Sequence, residues 1–240
     1  MSLQIKKGEK VAICGRTGSG KTSILNALFG MYPIKFGDIF VQGKNIAYYS
    51  LRQLREQMSI IPQFGFLYNE SLLRNLDPEE SLPKSTIQAK INETNLHIRR
   101  NKPSTDSAVR PGESNSESPS ICLEVSQEGE DLDFTIENGG ENLSNGEKQI
   151  VNFLRVILRE TDIICLDEAS SNMDPKTDAL LHEQIFKFSQ NKTLLVITHR
   201  LENIDMFDRV VVMEKGKIVE CGPVKQLRQT KGGFFNKLAK

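Results

Sequence analysis

At 240 residues the chain is long enough for one α/β domain, or for a core with a subdomain inserted in it, and two independent domains are less expected. Lysines plus arginines equal aspartates plus glutamates at 31 each, which excludes both a global basic field for nucleic acid and an acidic, solvating composition. No run approaches the roughly 20 apolar residues that a bilayer-spanning helix needs, and residues 1–7 lack the apolar core of a secretory signal.

The chain begins with a pattern of strand, glycine loop and helix: the apolar run 11–14 ends at Gly15, and residues 22–29 have helical spacing closed by Gly30. Runs rich in β-branched residues predict further strands at 39–41, 59–61, 163–166, 193–197 and 209–213. Helices are predicted at about 51–56, 84–94, 146–159, 175–188 and 224–228. Because several strands are apolar throughout, this alternation predicts a parallel, doubly wound α/β sheet.

Strand patterns disappear between about residues 66 and 159, which predicts a helical subdomain inserted into the α/β core. Within it, residues 102–133 are rich in serine, carboxylates and proline and contain few bulky apolar side chains. Such a segment buries too little surface to offset its ordering entropy, so it is interpreted as a solvated, disordered surface loop. A regulatory segment phosphorylated at serines such as Ser114, Ser116 or Ser118 is the alternative.

Residues 15–22, Gly-Arg-Thr-Gly-Ser-Gly-Lys-Thr, match the phosphate-binding loop pattern in its required context of preceding strand and following helix. The glycines let successive backbone N–H groups face phosphate oxygens, and the helix N-terminus adds partial positive charge. Lys21 is expected to neutralise the β and γ phosphates, and the Thr22 hydroxyl is expected to bind Mg²⁺.

Two acidic residues, Asp167 and Glu168, end the apolar strand predicted at 163–166. Ionisable side chains are costly there unless they face a cleft, and a metal site provides one. Asp167 is assigned to the Mg²⁺ shell and Glu168 to the attacking water as general base, whereas a helix-capping acidic pair fits less well.

The cysteines lack CxxC spacing, which favours reduced thiols over a disulfide framework or a zinc site; they are Cys14, Cys122, Cys165 and Cys221. Cys14 and Cys165 lie in apolar runs directly before the two motifs above, so both are predicted to be buried as small hydrophobic side chains.

Between these motifs lies Leu143-Ser144-Asn145-Gly146-Glu147-Lys148-Gln149, with Ser144 placed 23 residues before Asp167. In this order and spacing, the three motifs resemble the ATP-binding cassette (ABC) ATPase family, whose signature is usually written LSGGQ. Residues 73–78, Leu-Arg-Asn-Leu-Asp-Pro, and residues 137–142, Glu-Asn-Gly-Gly-Glu-Asn, resemble the second cassette of the multidrug-resistance-associated (C) subfamily.

The resemblance assigns roles to individual residues. Those implied to bind ATP directly are Gly15, Arg16, Thr17, Gly18, Ser19, Gly20, Lys21, Thr22 and Ser23. Glu168, Gln63 and His199 are implied to be catalytic, and Thr22, Gln63 and Asp167 to hold Mg²⁺. The residues implied to contact ATP on a partner cassette are Ser144, Asn145, Gly146, Glu147 and Asp174. Ser144 is also expected to cap the following helix.

The implied fold is a P-loop NTPase of the ABC ATPase type, with a mainly parallel sheet, an inserted helical subdomain and a truncated N-terminal antiparallel β region. One ABC domain would span 1–240, with 1–65 and 160–240 as the α/β core and 66–159 as the helical subdomain. The implied function is the nucleotide-binding domain of an ABC transporter at the cytoplasmic face of a membrane. It would bind and hydrolyse MgATP in a head-to-tail dimer with a second cassette, identical or different, attached to transmembrane domains.

Two departures from the family pattern carry expectations. Asn145 replaces a glycine, and Glu147 replaces a glutamine with a carboxylate whose charge opposes phosphate unless Lys148 offsets it. No aromatic residue occurs among residues 1–14, where the family stacks one on adenine, so weak ATP binding by this chain alone is predicted. The chain is expected to be either a fragment of a longer transporter or a separately encoded cassette.

Two other functions stay open at this stage. A regulatory cassette would hold ATP without hydrolysing it. Glu147 and the lack of an aromatic residue among residues 1–14 favour that alternative, whereas Glu168 and His199 oppose it. A non-transport ABC ATPase acting on nucleic acid or ribosomes would usually carry tandem cassettes or a long coiled-coil insertion. The 81-residue interval from Gln63 to Ser144 does not resemble a coiled coil, and direct binding to nucleic acid is not expected.

Overall fold

The computed structural model describes residues 1–94, 96, 98, 131–167, 173, 175–199, 201, 203–230 and 232–238. In this part of the chain the strands are β1 (Lys10–Gly15), β2 (Phe40–Val41), β3 (Lys44–Asn45), β4 (Met58–Ile61), β5 (Ile163–Asp167), β6 (Thr193–Ile197), β7 (Arg209–Glu214) and β8 (Lys217–Gly222). The helices are α1 (Lys21–Leu28), α2 (Leu51–Glu56), α3 (Leu72–Leu76), α4 (Lys84–Thr94), α5 (Asn145–Leu158), α6 (Pro175–Phe188), α7 (Val224–Gln229) and α8 (Phe234–Leu238).

The chain divides into two compact units. The first unit contains Met1–Gly65, Arg159–Ser171 and Ile185–Lys240, and the second unit contains Phe66–Leu158 and Asn172–Gln184. Helix α6 therefore contributes its first turns to the second unit and its end to the first.

The first unit is built on a six-stranded sheet in the order β4-β5-β6-β1-β7-β8. All neighbouring pairs from β4 to β7 are parallel, which confirms the predicted, mainly parallel sheet. The central strand β1 has Val11, Ala12 and Ile13 fully buried, as expected for a parallel strand covered on both faces. Strands β2 and β3 form a separate antiparallel hairpin.

Strand β8, which the sequence analysis did not predict, pairs antiparallel with β7 at the sheet edge. The two strands are joined by Lys215 and Gly216, whose φ angles of 47° and 76° suit a two-residue hairpin turn. The search for apolar runs did not find β8, because five of its six residues are exposed or half-buried and it carries Lys217 and Glu220. The short elements β3, α3 and α8 were also not predicted.

The second unit packs helices around the apolar face of α5. Helices α3 and α4 both contact α5, and their buried side chains include Leu72, Leu76, Ile87 and Ile91. The chain before α3 pairs with residues 132–136, through Leu72 N–H to the Phe134 carbonyl at 2.7 Å and Ile136 N–H to the Glu70 carbonyl at 2.9 Å. Most of the predicted loop 102–133, with Ser114, Ser116 and Ser118, lies outside the described residues.

Candidate nucleotide-binding site

The predicted phosphate and catalytic residues of the first unit lie in a row along one edge of the sheet. Because β4, β5, β6 and β1 are parallel neighbours, their carboxyl ends share that edge. Gln63 follows β4, Asp167 ends β5, His199 follows β6, and the phosphate loop follows β1. Ligands of open α/β sheets bind at this edge, so the topology brings together residues far apart in sequence.

The phosphate loop starts with a glycine that no other residue could replace without a shift of the backbone. A Cβ atom at Gly15 would collide with the carbonyl oxygen of Met213 on β7 and would lie 2.7 Å from the Ser19 hydroxyl. The Ser19 N–H donates to the Arg16 carbonyl at 3.1 Å, and the Ser19 carbonyl accepts from Gly216 N–H at 2.9 Å. The turn between β7 and β8 is thus hydrogen-bonded to the phosphate loop. Arg16, Thr17 and Gly18 are exposed.

Lys21 is only 6% exposed, and its Nζ donates to the carbonyl oxygens of Gly15 and Arg16 at 2.9 and 3.3 Å. The ammonium group is therefore held over the loop by backbone oxygens. Burial raises the pKa of the neighbouring Cys14 thiol to about 12, although the charge of Lys21 acts in the opposite direction. Cys14 stays a neutral thiol beside the site.

Helix α1 begins directly after the loop. Its N-cap is Gly20, with φ of 99°, and within the described residues no side chain caps the first N–H groups. Uncapped N–H groups and the helix dipole favour an anion at this position. Ser23 is exposed on the first turn of the same helix.

A hydroxyl and a carboxylate meet beside the loop, because Thr22 Oγ1 donates to Asp167 Oδ1 at 3.2 Å. Asp167 is 8% exposed at the end of β5. Mg²⁺ prefers oxygen ligands and keeps several waters, and this pair provides two protein oxygens next to the phosphate loop. The residues present therefore fit the magnesium ion that the sequence predicts.

The hydroxyl of Ser19 is also informative, because Ser19 is 5% exposed and its Oγ has no hydrogen-bond partner within the described part of the chain. A buried hydroxyl without a partner is costly. An oxygen-rich ligand seated in the loop would satisfy it.

The remaining predicted catalytic residues are placed only in part. Gln63 is half-buried two residues beyond β4, and His199 is exposed two residues beyond β6. Glu168 and Asp174 lie outside the described residues.

The signature residues belong to the second unit, where Ser144 caps α5. The Ser144 Oγ accepts a hydrogen bond from Glu147 N–H at 3.3 Å. In return, the Glu147 carboxylate accepts from both the N–H and the hydroxyl of Ser144, each at 2.7 Å. This is a reciprocal capping box, and the Ser-x-x-Glu spacing in the sequence could have predicted it.

Gly146 lies one residue into α5, half-buried against the start of α6. A Cβ atom there would lie 3.3 Å from the Thr177 methyl group and 3.8 Å from the end of Met173. Asn145, the first residue of α5, is exposed.

A polar network, which the sequence analysis did not find, fixes α5 to the chain before it. Asn75 on α3 is fully buried, and its side-chain oxygen accepts from Tyr68 N–H at 2.8 Å and from Arg155 Nη2 at 2.9 Å. Its side-chain nitrogen donates to the carbonyls of Tyr68 and Ser71, each at 3.0 Å. Arg155, on α5, also donates to the Phe66 carbonyl at 2.6 Å.

The predicted burial of two cysteines is confirmed, since Cys14 and Cys165 are at most 1% exposed. Burial also raises the pKa of the Cys165 thiol to about 12. Among the described residues, none of the helices is both apolar enough and long enough to span a bilayer.

Comparison with known proteins supports the motif-based assignment. Residues 1–171 match the family model described as ABC transporter. The chain is 34% identical over 238 residues to ABC multidrug transporter B of Aspergillus fumigatus, covering 99% of this chain and 14% of that protein. It is 35% identical over 235 residues to ATP-binding cassette sub-family C member 3 of Homo sapiens, covering 98% of this chain and 14% of that protein.

The rat sub-family C member 2 gives a similar match, 34% identical over 235 residues, which cover 98% of this chain and 14% of that protein. The resemblance to the C subfamily is thereby confirmed. The chain spans about one seventh of the length of these relatives.

The fold is likewise that of an ABC ATPase. A bacterial Atm1-family ABC exporter, solved with ATP bound, superposes with a TM-score of 0.79 at 24% identity, covering all of this chain and 37% of that chain. With its phosphate loop, its mainly parallel sheet and its inserted signature region, the chain belongs to the ABC transporter family.

Proposed function

We propose that the chain is the nucleotide-binding domain of an ABC transporter that binds and hydrolyses MgATP in a head-to-tail dimer with a second cassette. The observation that carries this proposal is the contact between Thr22 and Asp167 at 3.2 Å, beside the buried Lys21. A cation, a hydroxyl and a carboxylate placed in this way suit a triphosphate with its metal ion.

Each residue of the first unit has a defined task in this proposal. The loop N–H groups and Lys21 hold the β and γ phosphates, and Thr22, Asp167 and Gln63 would hold Mg²⁺. Mg²⁺ bound there would neutralise charge on the phosphate oxygens. His199 contacts the γ phosphate in this proposal. Its position just beyond β6, at the sheet edge that also carries the phosphate loop, favours this role.

The reaction is the transfer of the γ-phosphoryl group to water. The water oxygen forms a bond to the γ-phosphorus, and the bond from that phosphorus to the β–γ bridging oxygen breaks, which yields ADP and phosphate. Glu168 follows Asp167 directly and takes the proton of the attacking water.

The second unit would act on the nucleotide of the partner cassette. Ser144, Asn145, Gly146 and Glu147 lie at or next to the N-terminus of α5, which can face a phosphate, and Asp174 would reach across the same dimer interface. In this scheme 1–240 form one ABC domain, with 1–65 and 160–240 as the α/β core and 66–159 as the helical subdomain.

The relatives of the chain support a proposal about the assembly in which it works. ABC multidrug transporter B is a transporter by name, and the chain matches 14% of its length. We infer that the chain acts at the cytoplasmic face of a membrane, joined to transmembrane domains that carry the transported substrate.

A regulatory cassette that holds ATP without hydrolysing it is the second candidate. One observation favours it: the carboxylate of Glu147 is bonded to Ser144 at the start of α5, where a phosphate of the partner's ATP would have to dock. Like charge opposes that docking.

Glu168→Gln separates the two candidates. A tag on this chain captures its native complex, and ATP turnover is measured for the wild type, for Glu168→Gln and for Glu183→Gln, which changes an exposed carboxylate of α6. Loss of a general base typically lowers turnover by roughly 10²–10⁴, so we expect that loss for Glu168→Gln and none for Glu183→Gln. Unchanged turnover in Glu168→Gln would remove Glu168 from the role, and a wild-type complex that binds but never hydrolyses ATP would support the regulatory cassette.

A further inference from the structure

The phosphate loop lies against the hairpin formed by β7 and β8. Gly15, the last residue of β1, pairs in register with Met213 on β7. Further along the loop, the Ser19 carbonyl accepts a hydrogen bond from Gly216 N–H, in the hairpin turn, at 2.9 Å. A Cβ atom at Gly20 would lie only 3.6 Å from the Gly216 Cα atom. The hairpin therefore contacts the loop at both its first and its last glycine.

An extra residue in β8 determines where the turn of this hairpin lies. Val212 pairs with Glu220 and Met213 pairs with Ile218, so Val219 is the extra residue of a β-bulge. A bulge bends its strand, and bulges are frequent next to active sites, where they redirect the chain. The tip of the hairpin is thereby redirected relative to the rest of β8.

The hydrogen bond from Gly216 fixes the direction of one N–H group of the phosphate loop. In a planar trans peptide the N–H points away from the C=O of the same unit, so the Gly20 N–H lies opposite the Ser19 carbonyl. While the turn holds that carbonyl, the Gly20 N–H is directed away from the hairpin at the start of α1. N–H groups at a helix start bind phosphate oxygens, whereas a carbonyl turned to the same side would repel them.

The peptide between Ser19 and Gly20 needs such a hold, because glycine makes its rotation easy. A flip of one peptide unit changes the φ angle of the residue that follows it. Gly20 has a φ of 99°, and glycine accepts negative φ angles about as readily. The carbonyls of Gly15 and Arg16 are held inside the loop by Lys21, whereas the Ser19 carbonyl is held by the turn.

We propose that Gly216 is a positioning residue of the nucleotide site: its N–H holds the Ser19 carbonyl on the hairpin side and so keeps the Gly20 N–H available to a phosphate. The inference rests on the proposed nucleotide site and adds to it a residue outside the phosphate loop. Gly216 has a φ of 76°, which suits the second position of a two-residue hairpin turn. A residue that resists this angle should displace the N–H and release the peptide.

The hairpin of β2 and β3 provides a matched control turn. Gln42 and Gly43 have φ angles of 51° and 80° there, close to the 47° and 76° of Lys215 and Gly216. A Cβ atom at either glycine would meet no other atom within 4 Å, so a substitution acts mainly through the backbone angle. In the described part of the chain, the phosphate loop accepts a hydrogen bond from Gly216 and none from Gly43.

The test is a graded series, Gly216→Asn, Gly216→Ala and Gly216→Val, with the same three changes at Gly43. Asparagine tolerates a positive φ best of the three, and a β-branched side chain tolerates it least. Calorimetric titration of the full chain with MgATP, and separately with inorganic tripolyphosphate and Mg²⁺, measures phosphate binding. Urea denaturation measures stability.

We expect Gly216→Val to weaken the binding of both probes by about 2- to 13-fold, which corresponds to the loss of one backbone hydrogen bond. Gly216→Ala should lie between Gly216→Val and the wild type, and Gly216→Asn should bind as the wild type. The changes at Gly43 should lower stability in the same order and leave both affinities unchanged.

The inference is overturned if Gly216→Val binds tripolyphosphate as tightly as the wild type, or if Gly43→Val weakens that binding equally. It is also overturned if Gly216→Asn loses as much affinity as Gly216→Val. If Gly216→Val does not fold, Gly216→Ala against Gly43→Ala makes the same comparison. A wild-type chain that binds neither probe overturns the proposed nucleotide site as well, so the two failures are distinguishable.

Discussion

Helices α1 and α5 both begin at sites that the sequence predicts to bind phosphate, yet their N-termini are prepared in opposite ways. Gly20 is the N-cap of helix α1, with no side-chain cap among the described residues, and Lys21 is the first residue of the helix. Ser144 directly precedes helix α5, and the Glu147 carboxylate accepts two hydrogen bonds from it. An isolated helix N-terminus attracts an anion; α1 leaves that place to a ligand, whereas α5 fills it with its own side chain.

The difference indicates that the phosphate loop and the signature of one chain need not be equally suited to bind a phosphate. Among the described residues, the phosphate loop has a buried cation, a helix start without a side-chain cap and a Ser19 hydroxyl without a partner. The signature has the required serine and glycine but adds a negative charge. In the proposed head-to-tail dimer, the chain would therefore be better equipped to hold its own ATP than to complete the site of a partner.

The two helices are also held in place by different forces. Helix α1 packs Leu25 into the core of the first unit, beside Val11 and Ile13 of β1. Helix α5 is tied in addition by a charged side chain, since Arg155 bonds to Asn75 at 2.9 Å. Polar ties of this kind are specific in geometry and costly to break.

The largest loss of MgATP affinity is expected for a change at Lys21, the first residue of α1. Lys21→Met keeps the apolar length of the side chain and removes the ammonium group. Loss of one partner of a buried charged contact costs about 2–5 kcal/mol, which converts to a loss of about 30- to 5,000-fold in MgATP affinity.

Calorimetric titration measures this change, with Lys7→Met as the control because Lys7 is exposed. Equal MgATP affinity in Lys21→Met and the wild type would show that the helix start of α1 does not bind the phosphates.

Asn75→Ala tests the polar contacts that hold α5 in place. The change leaves Tyr68 N–H and an Arg155 donor without their acceptor inside the second unit. We expect the free energy of unfolding to fall by about 2–4 kcal/mol. Urea denaturation followed by circular dichroism measures it.

Asn92→Ala is the matched control, since Asn92 is an exposed residue of α4 and should stay within about 0.5 kcal/mol of the wild type. If α1 and α5 are held independently, MgATP binding by Asn75→Ala under native conditions should stay unchanged. Equal stability of the two variants would contradict the tie between α3 and α5.

Much of this architecture could be predicted from local sequence patterns. The strands around the phosphate loop are uniformly apolar and short, and helices α2, α4 and α6 were predicted at the bounds they have, because each carries the periodic spacing of a packed helix. Strand β8 was missed because an edge strand needs no apolar run. The roles of Gln63 and His199 came from the family resemblance, and only the sheet order showed that both lie at the same edge as Asp167.

Side-chain partnerships were harder to predict. Arg155 and Asn75 are 80 residues apart, and no local pattern pairs them. Phe234 lies in a five-residue helix far from the phosphate loop in sequence, and only the fold brings it to the same surface pocket as Arg16 and Ser19. The expected weakness of ATP binding rested on residues 1–14 alone, and it stays a prediction that the titration of the wild type decides.

The smallest expected change is also the most direct test of the contrast between α1 and α5. Glu147→Gln keeps an oxygen that can accept the two bonds from Ser144, so the capping box can persist, but it removes the charge. Two unit charges about 4 Å apart interact by about 1 kcal/mol in water, and more near a protein surface. Removing the repulsion should therefore tighten MgATP-induced dimerisation by about fivefold or more.

Sedimentation velocity over a range of protein concentrations, with and without MgATP, measures that dimerisation for the wild type, Glu147→Gln and the control Glu141→Gln, an exposed carboxylate before α5. We expect the dissociation constant of the Glu147→Gln dimer to be lower than that of the wild type by about fivefold or more. Glu141→Gln should behave as the wild type. Equal self-association in Glu147→Gln and the wild type, including none in either, would contradict the claim that Glu147 obstructs the signature helix.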